Sequence, residues 1–269
     1  SDDKMKNIVS TIQKEQNEVI RFLGKKDLII DGTAGSGKTS VALHRIAYLL
    51  YNRKDLTNKN VLIFSPNDVF TNYISDVLPE LGEENVKTIT FKYLASKIVP
   101  NYELQSAYDF IENFYRNGLS IDENTSFKFK NEYQNKIDTY IKNFIDNLVF
   151  TKKIGLKKGF TESSELNYLF KVSASKLNLC DRIEFVAEKL CDKYRIDVNK
   201  NVPKLIGIIK NLLGLNKDAV SLYREFLKND TFAENGIIPY EDIGGMLYLY
   251  FEINGYPVQT HIKHVVIDE

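Results

Sequence analysis

The sequence predicts an α/β fold: a parallel sheet covered by helices, interrupted by a long and mainly helical insert. Three observations predict it. Over the first hundred residues, short apolar runs alternate with segments of helical periodicity, as a sheet with crossover helices requires. From 101 to 235 the periodicity is helical and no second series of strands follows. At 264–267 an apolar run returns and ends in two carboxylates, Asp268 and Glu269, so the chain comes back to its first sheet after an excursion. The organisation expected is therefore one domain from 1–100 with 236–269, and an inserted helical subdomain over 101–235.

Each element follows from its residues. The spacing of Ile8, Ile12, Val19, Ile20 and Leu23 predicts an amphipathic helix over 5–23. Leu28-Ile29-Ile30 reads as a short buried strand running into the glycine-rich segment 32–39, and 41–50 reads as the helix after it. Residues 61–64 form the next apolar strand, followed by a helix over 68–78 that should stop near Pro79. A third strand is expected at 86–90 and a short helix at 91–99. Within the insert, 107–115, 133–148 and 183–194 carry apolar residues at helical spacing. The stretch 148–160 alternates weakly and is either a hairpin or a loop. Its lysines 152, 153, 157 and 158 suit a nucleic-acid backbone, an acidic partner or plain solvent. Residues 240–253 read as a helix weakened by Gly244 and Gly245, with a turn at 255–257.

Composition narrows the class. Hydrophobic residues make up 43% and charged residues 27%, which excludes a disordered or collagen-like chain. Lys+Arg and Asp+Glu both number 36, so any basic track must be local. Cys180 and Cys191 are too few for a disulfide framework and read as buried thiols. No apolar run resembles a leader peptide or is long enough to span a bilayer, so a cytoplasmic chain with no membrane partner is expected.

The chemistry concentrates in Gly32-Thr33-Ala34-Gly35-Ser36-Gly37-Lys38-Thr39, which fills every fixed position of the phosphate-binding loop pattern. Glycine at 32, 35 and 37, with the small Ala34 and Ser36, lets the backbone wrap a phosphate with its N–H groups turned inward. The following helix start adds partial positive charge. Lys38 reaches the β- and γ-phosphates, and the Thr39 hydroxyl suits Mg²⁺. Asp268, at the end of an apolar strand, is the natural second carrier of Mg²⁺, with Glu269 beside the attacking water. The expected ligands are ATP and Mg²⁺, the catalytic pair Lys38 and Glu269. The histidines at 44, 261 and 264 stand at no metal-ligand spacing.

Here a family resemblance becomes specific. Ile12-Gln13-Lys14-Glu15-Gln16, followed by Val19-Ile20, resembles the Q motif of UvrD-like superfamily 1 helicases, and 44–50 resembles their helix after the phosphate loop. Thr88-Ile89-Thr90-Phe91 is similar to their third strand. The resemblance implies a RecA-like ATP-binding domain (1A) with a helical 1B insert, Gln16 as the reader of adenine, and single-stranded or tailed DNA as the track. It also implies a second RecA-like domain as the missing partner, which supplies an arginine to the nucleotide. The isolated fragment is therefore expected to be weakly active or inactive. Ser65-Pro66-Asn67 departs from the common pattern. With 73–79 it resembles the DNA helicase IV-like branch, which includes ATPases that recycle stalled RNA polymerase. Two functions are thus expected: an ATP-driven DNA translocase or helicase, or an ATP-dependent RNA polymerase remodelling factor without processive unwinding.

Overall fold

The computed structural model describes residues 14–24, 27–116, 118, 120–256 and 262–268. It divides into two compact units, Ser1–Leu94 with Val258–Glu269, and Ala95–Pro257. Among the described residues no helix is long and apolar enough to cross a membrane.

The first unit is built on a three-stranded parallel sheet. Its central strand is β1 (Val61–Ser65), with β2 (Lys87–Thr90) on one side and β7 (His264–Ile267) on the other. Ile63 pairs with Thr88 and with Val266. β1 is central because its residues are apolar on both faces; Val61, Leu62, Ile63 and Ser65 are all buried. Among the described residues this unit holds α1 (Lys14–Arg21), α2 (Lys38–Asn52) and α3 (Asp68–Glu80). Asn67 starts α3 by accepting from the amides of Val69 and Phe70. The helix runs one residue past Pro79, whose ring forgoes a backbone hydrogen bond of the last turn, and stops at Glu80. Leu43, Ile46 and Leu49 of α2 pack with Ile63 of β1 and with Ile74 and Leu78 of α3 to make the core.

The strand expected at 28–30 does not form. Residues 27–30 are coil, and Ile29 is 91% exposed. A strand exists only as part of a hydrogen-bonded ladder. No described strand lies beside this triplet to satisfy its backbone, so apolar composition alone leaves it unpaired. Of the helix expected over 5–23, the part 5–13 lies outside the described residues.

α4 (Phe91–Ile98) leads into the second unit. There follow β3 (Glu103–Leu104), α5 (Ala107–Arg116), α6 (Glu123–Lys128) and α7 (Asn131–Asn147). The stretch 148–160 resolves into an antiparallel hairpin, β4 (Ile154–Leu156) and β5 (Gly159–Thr161). Then come α8 (Ser163–Tyr168), a π-helical turn at Leu169–Ser173, α9 (Leu179–Tyr194), α10 (Val198–Leu212) and α11 (Ala219–Leu227). β6 (Ile237–Ile238) pairs in parallel with β3 and precedes α12 (Tyr240–Asn254). Cys180 and Cys191 are both free thiols on α9, and burial pushes their pKa values up.

Helix α12 lies in the second unit, although 236–269 was expected to stay with the first. The physical reason is its surface. Ile243, Met246, Leu247, Leu249, Phe251 and Ile253 are buried, and the helix packs on α7, α9 and α11. Gly245 fits there because a β-carbon would stand 2.9 Å from Tyr133 Cε1 and 3.3 Å from Tyr223 Oη. What reads in sequence as a helix weakness is the place where side chains of α7 and α11 crowd the backbone of α12.

A polar network sits in this packing. The Asp242 carboxylate, 2% exposed, accepts from Lys128 Nζ at 2.7 Å and from the Tyr223 hydroxyl at 2.7 Å. The Tyr223 hydroxyl in turn meets that of Tyr133. Burial pushes the Tyr133 hydroxyl up to about 12 and raises that of Tyr223 as well, so both stay neutral. The network ties α6, α7, α11 and α12 together, and each of these polar atoms has a partner.

Candidate functional site

The glycine loop 32–39 opens α2. Gly35 and Gly37 adopt φ +79° and +84°, the left-handed region where a side chain would be strained. A β-carbon on Gly32 would stand 2.6 Å from Ser36 Oγ, so the loop also closes tightly on itself. Ser36 N donates to Thr33 O at 3.2 Å and sets the turn. Gly37 caps α2 without a side-chain hydrogen bond, so the amides of the first turn face the loop uncapped by any side chain. Lys38 Nζ donates to Gly32 O at 2.7 Å and to Thr33 O at 2.9 Å, which holds the ammonium inside the curl of the loop. Asp31, beside the loop, accepts from Gly32 N at 2.7 Å and is thereby turned to its own backbone.

Two partners distant in sequence meet this loop. The Thr39 hydroxyl lies 2.9 and 3.1 Å from the carboxylate oxygens of Asp268, 229 residues away. Asp268 is positioned by β7, whose ladder extends through Asp268 N donating to Phe64 O at 3.0 Å. Gln16 Nε2 donates to Ser36 O at 3.1 Å, so the α1 glutamine rests on the loop. Glu269 lies outside the described residues. The structure thus brings together Gln16, Gly32, Gly35, Ser36, Gly37, Lys38, Thr39 and Asp268, with the small Ala34 at the loop's exposed turn.

The donor set fits the ligands that the loop pattern implies. A hydroxyl and a carboxylate at contact distance are hard oxygen ligands of the kind Mg²⁺ selects, two of the six it takes. The inward ammonium and uncapped helix start suit a polyphosphate. His44 and His264 are half-buried, and burial lowers both imidazole pKa values. Among the described residues no group of three His, Cys, Asp or Glu is placed to hold a metal.

Arg45 is a residue that sequence reasoning passed over. It is 7% exposed on α2, and Nη1 donates to the carbonyls of Val19 at 2.8 Å, Ile20 at 3.3 Å and Phe22 at 2.6 Å. Those are the carbonyls at the end of α1, which an arginine satisfies while its charge favours the helix C-terminus. The guanidinium also lies 5.9 Å from the Phe22 ring centroid. The available signal was an arginine on the apolar stripe of α2, between Leu43 and Ile46.

Comparison with known proteins bears on this site. The family model described as the UvrD/REP helicase N-terminal domain matches residues 12–269. A segment of 68 residues is 44% identical to the ATP-dependent DNA helicase PcrA of Staphylococcus epidermidis, in each of two strains. That segment is 25% of this chain and 8% of the relative, so the match spans less than a tenth of the relative's length.

Proposed function

Because the chain belongs to the UvrD/REP helicase N-terminal domain family, we propose that it is the ATP-binding motor domain of a cytoplasmic DNA helicase. In this reading it couples ATP hydrolysis to movement along single-stranded or tailed DNA. The observation that carries the nucleotide site is the pairing of Thr39 with Asp268 beside the loop. Two residues so far apart in sequence meet where a phosphate loop needs its metal ligands.

Each residue has a role in this reading. Loop amides 35–39 and the start of α2 bind the phosphates, and Lys38 leaves its two carbonyls to neutralise the terminal phosphate. Thr39 and Asp268 would hold Mg²⁺, which would supply positive charge against the phosphates. Gln16 offers both a donor and an acceptor to the adenine edge. Glu269 orients the attacking water. A second RecA-like domain is the partner that closes over the nucleotide with an arginine. Lys38→Ala is expected to abolish binding of a fluorescent ATP analogue without changing the circular dichroism spectrum; retained affinity refutes the site.

A second reading is favoured by the end of β1. The Ser65 hydroxyl donates to Asn67 O at 2.9 Å, and the Asn67 side chain caps α3. Both side chains are spent on their own backbone, at the segment where this chain departs from the common UvrD pattern. This supports the DNA helicase IV-like branch, with RNA polymerase as the partner whose remodelling consumes ATP. ATPase titrated separately with single-stranded DNA and with RNA polymerase separates the two: stimulation by DNA favours the motor, stimulation by polymerase alone the remodelling factor.

A further inference from the structure

The β4–β5 hairpin concentrates positive charge on a chain whose net charge is zero. Lys152, Lys153, Lys157 and Lys158 are all exposed, and no acidic residue occurs between Asp146 and Glu162. None of the four forms an ion pair among the described residues. Lys158 Nζ instead donates to the backbone carbonyl of Arg195 at 3.2 Å.

The hairpin is rigidly seated. Ile154 and Thr161 face inward, 2% and 0% exposed, and pair with each other across the ladder. Thr161 Oγ1 lies 2.9 Å from the Tyr194 hydroxyl, and the Tyr194 ring backs Gly159. The opposite face carries Phe160, 53% exposed, paired with Gly155, at which a β-carbon would meet nothing within 4 Å. Lys153 Nζ lies 4.3 Å from the Phe160 ring centroid. An exposed aromatic ring, with the Lys153 ammonium against it and further lysines on the same hairpin, has no part in the nucleotide chemistry and little packing value where it stands.

We propose that this hairpin is a contact site for single-stranded nucleic acid: an unpaired base stacks on Phe160 in place of the Lys153 ammonium, which joins the other lysines on the phosphates. From Lys153 to Lys157 is about 13 Å at roughly 3.3 Å per strand residue, a reach that takes in more than one phosphate of an extended single strand. Stacking on an exposed ring needs an unstacked base, which a single strand offers and a duplex hides. The choice of nucleic acid over an acidic protein surface rests on the motor reading and on Phe160. The contact is additional to the nucleotide-bearing unit.

The test measures binding of a fluorescein-labelled oligothymidylate and of a blunt duplex to the 269-residue chain by anisotropy across a salt series, without nucleotide. Replacing all four lysines by alanine is expected to weaken single-strand binding more than about tenfold, and to lower the log–log salt slope by about 0.7 per lost phosphate contact. The fourfold arginine variant should keep the affinity. Phe160→Ala should weaken single-strand binding by roughly tenfold with the salt slope unchanged. All five side chains are exposed, so each variant should melt as the wild type does. Wild-type affinity in the alanine variant overturns the proposal while leaving the motor reading intact. A silent Phe160→Ala with equal losses on duplex and single strand overturns the single-strand assignment. A wild-type chain that binds neither polymer overturns this proposal and the DNA part of the motor reading together, whereas the Lys38→Ala assay judges the ATP site separately.

Discussion

At the residue scale, the site depends on side chains that other side chains hold in place. Gln16 sits on α1, of which Lys14–Arg21 is described. Among those residues Ile20 is buried, and Arg45, gripping three carbonyls at the helix end, is a second anchor. Gln16→Ala is expected to lower the preference for ATP over GTP, read from the ratio of their dissociation constants. Arg45→Met should lower the same ratio while affinity for inorganic triphosphate holds, and the double variant should do no more than either single one. An unchanged ratio in Gln16→Ala counts against adenine reading; a change there but not in Arg45→Met counts against the anchor. The loop residues were legible because their chemistry is local: glycine, lysine and threonine at fixed spacing. Arg45 was not, because its acceptors are carbonyls 23 to 26 residues away, and nothing in a sequence marks which carbonyls a buried guanidinium will meet.

At the scale of the element, β7 and α12 show how environment overrides composition. β7 pairs with β1, and its last hydrogen bond delivers Asp268 to Thr39. His264 begins this strand half-buried; burial first, then Arg45 and Arg53, lowers its imidazole pKa below 6.5. The unfolded chain therefore takes up the proton before the folded one does. Stability should fall as pH drops below about 6.5, the unfolded value, until the folded imidazole also protonates. The melting temperature of His264→Gln should fall less steeply over that range; equal slopes would remove His264 from the account. In α12, Gly245→Ala drives a methyl group to 2.9 Å from the Tyr133 ring. A loss of about 1–3 kcal/mol in urea denaturation is expected, and an unchanged midpoint would show that the ring moves freely. The triplet 28–30 has the composition of a strand but no described neighbour to pair with, so its apolar side chains remain outside the core.

For the whole molecule, the proposed ligand should act on folding as well as on chemistry. Anything bound only by the folded chain stabilises it, by about 2.7 kcal/mol at a hundredfold excess over the dissociation constant. Mg·ATP should therefore raise the melting temperature of the wild type and leave that of Lys38→Ala unmoved. ATP without Mg²⁺ should do less, and Asp268→Asn should narrow the difference between the two. Equal shifts in wild type and Asp268→Asn, with and without the metal, would remove Asp268 from the proposed metal site. The balance of 36 basic and 36 acidic residues says nothing of where charge gathers; on the hairpin it is all of one sign.

The sequence by itself determined the glycine-rich loop before α2, the alternation of strand and helix from 61 to 98 and the acidic end of the last strand. Each of these is written in neighbouring residues, as spacing, periodicity or the backbone freedom of glycine. Tertiary structure alone decided which side chains meet across the chain: Thr39 with Asp268, Arg45 with the end of α1, and Asp242 with Lys128 and Tyr223. It also decided that α12 packs with the second unit and that 28–30 forms no strand. Those outcomes depend on which surfaces and backbone groups find partners in space, and a period read along one segment carries no information about the segment it will touch.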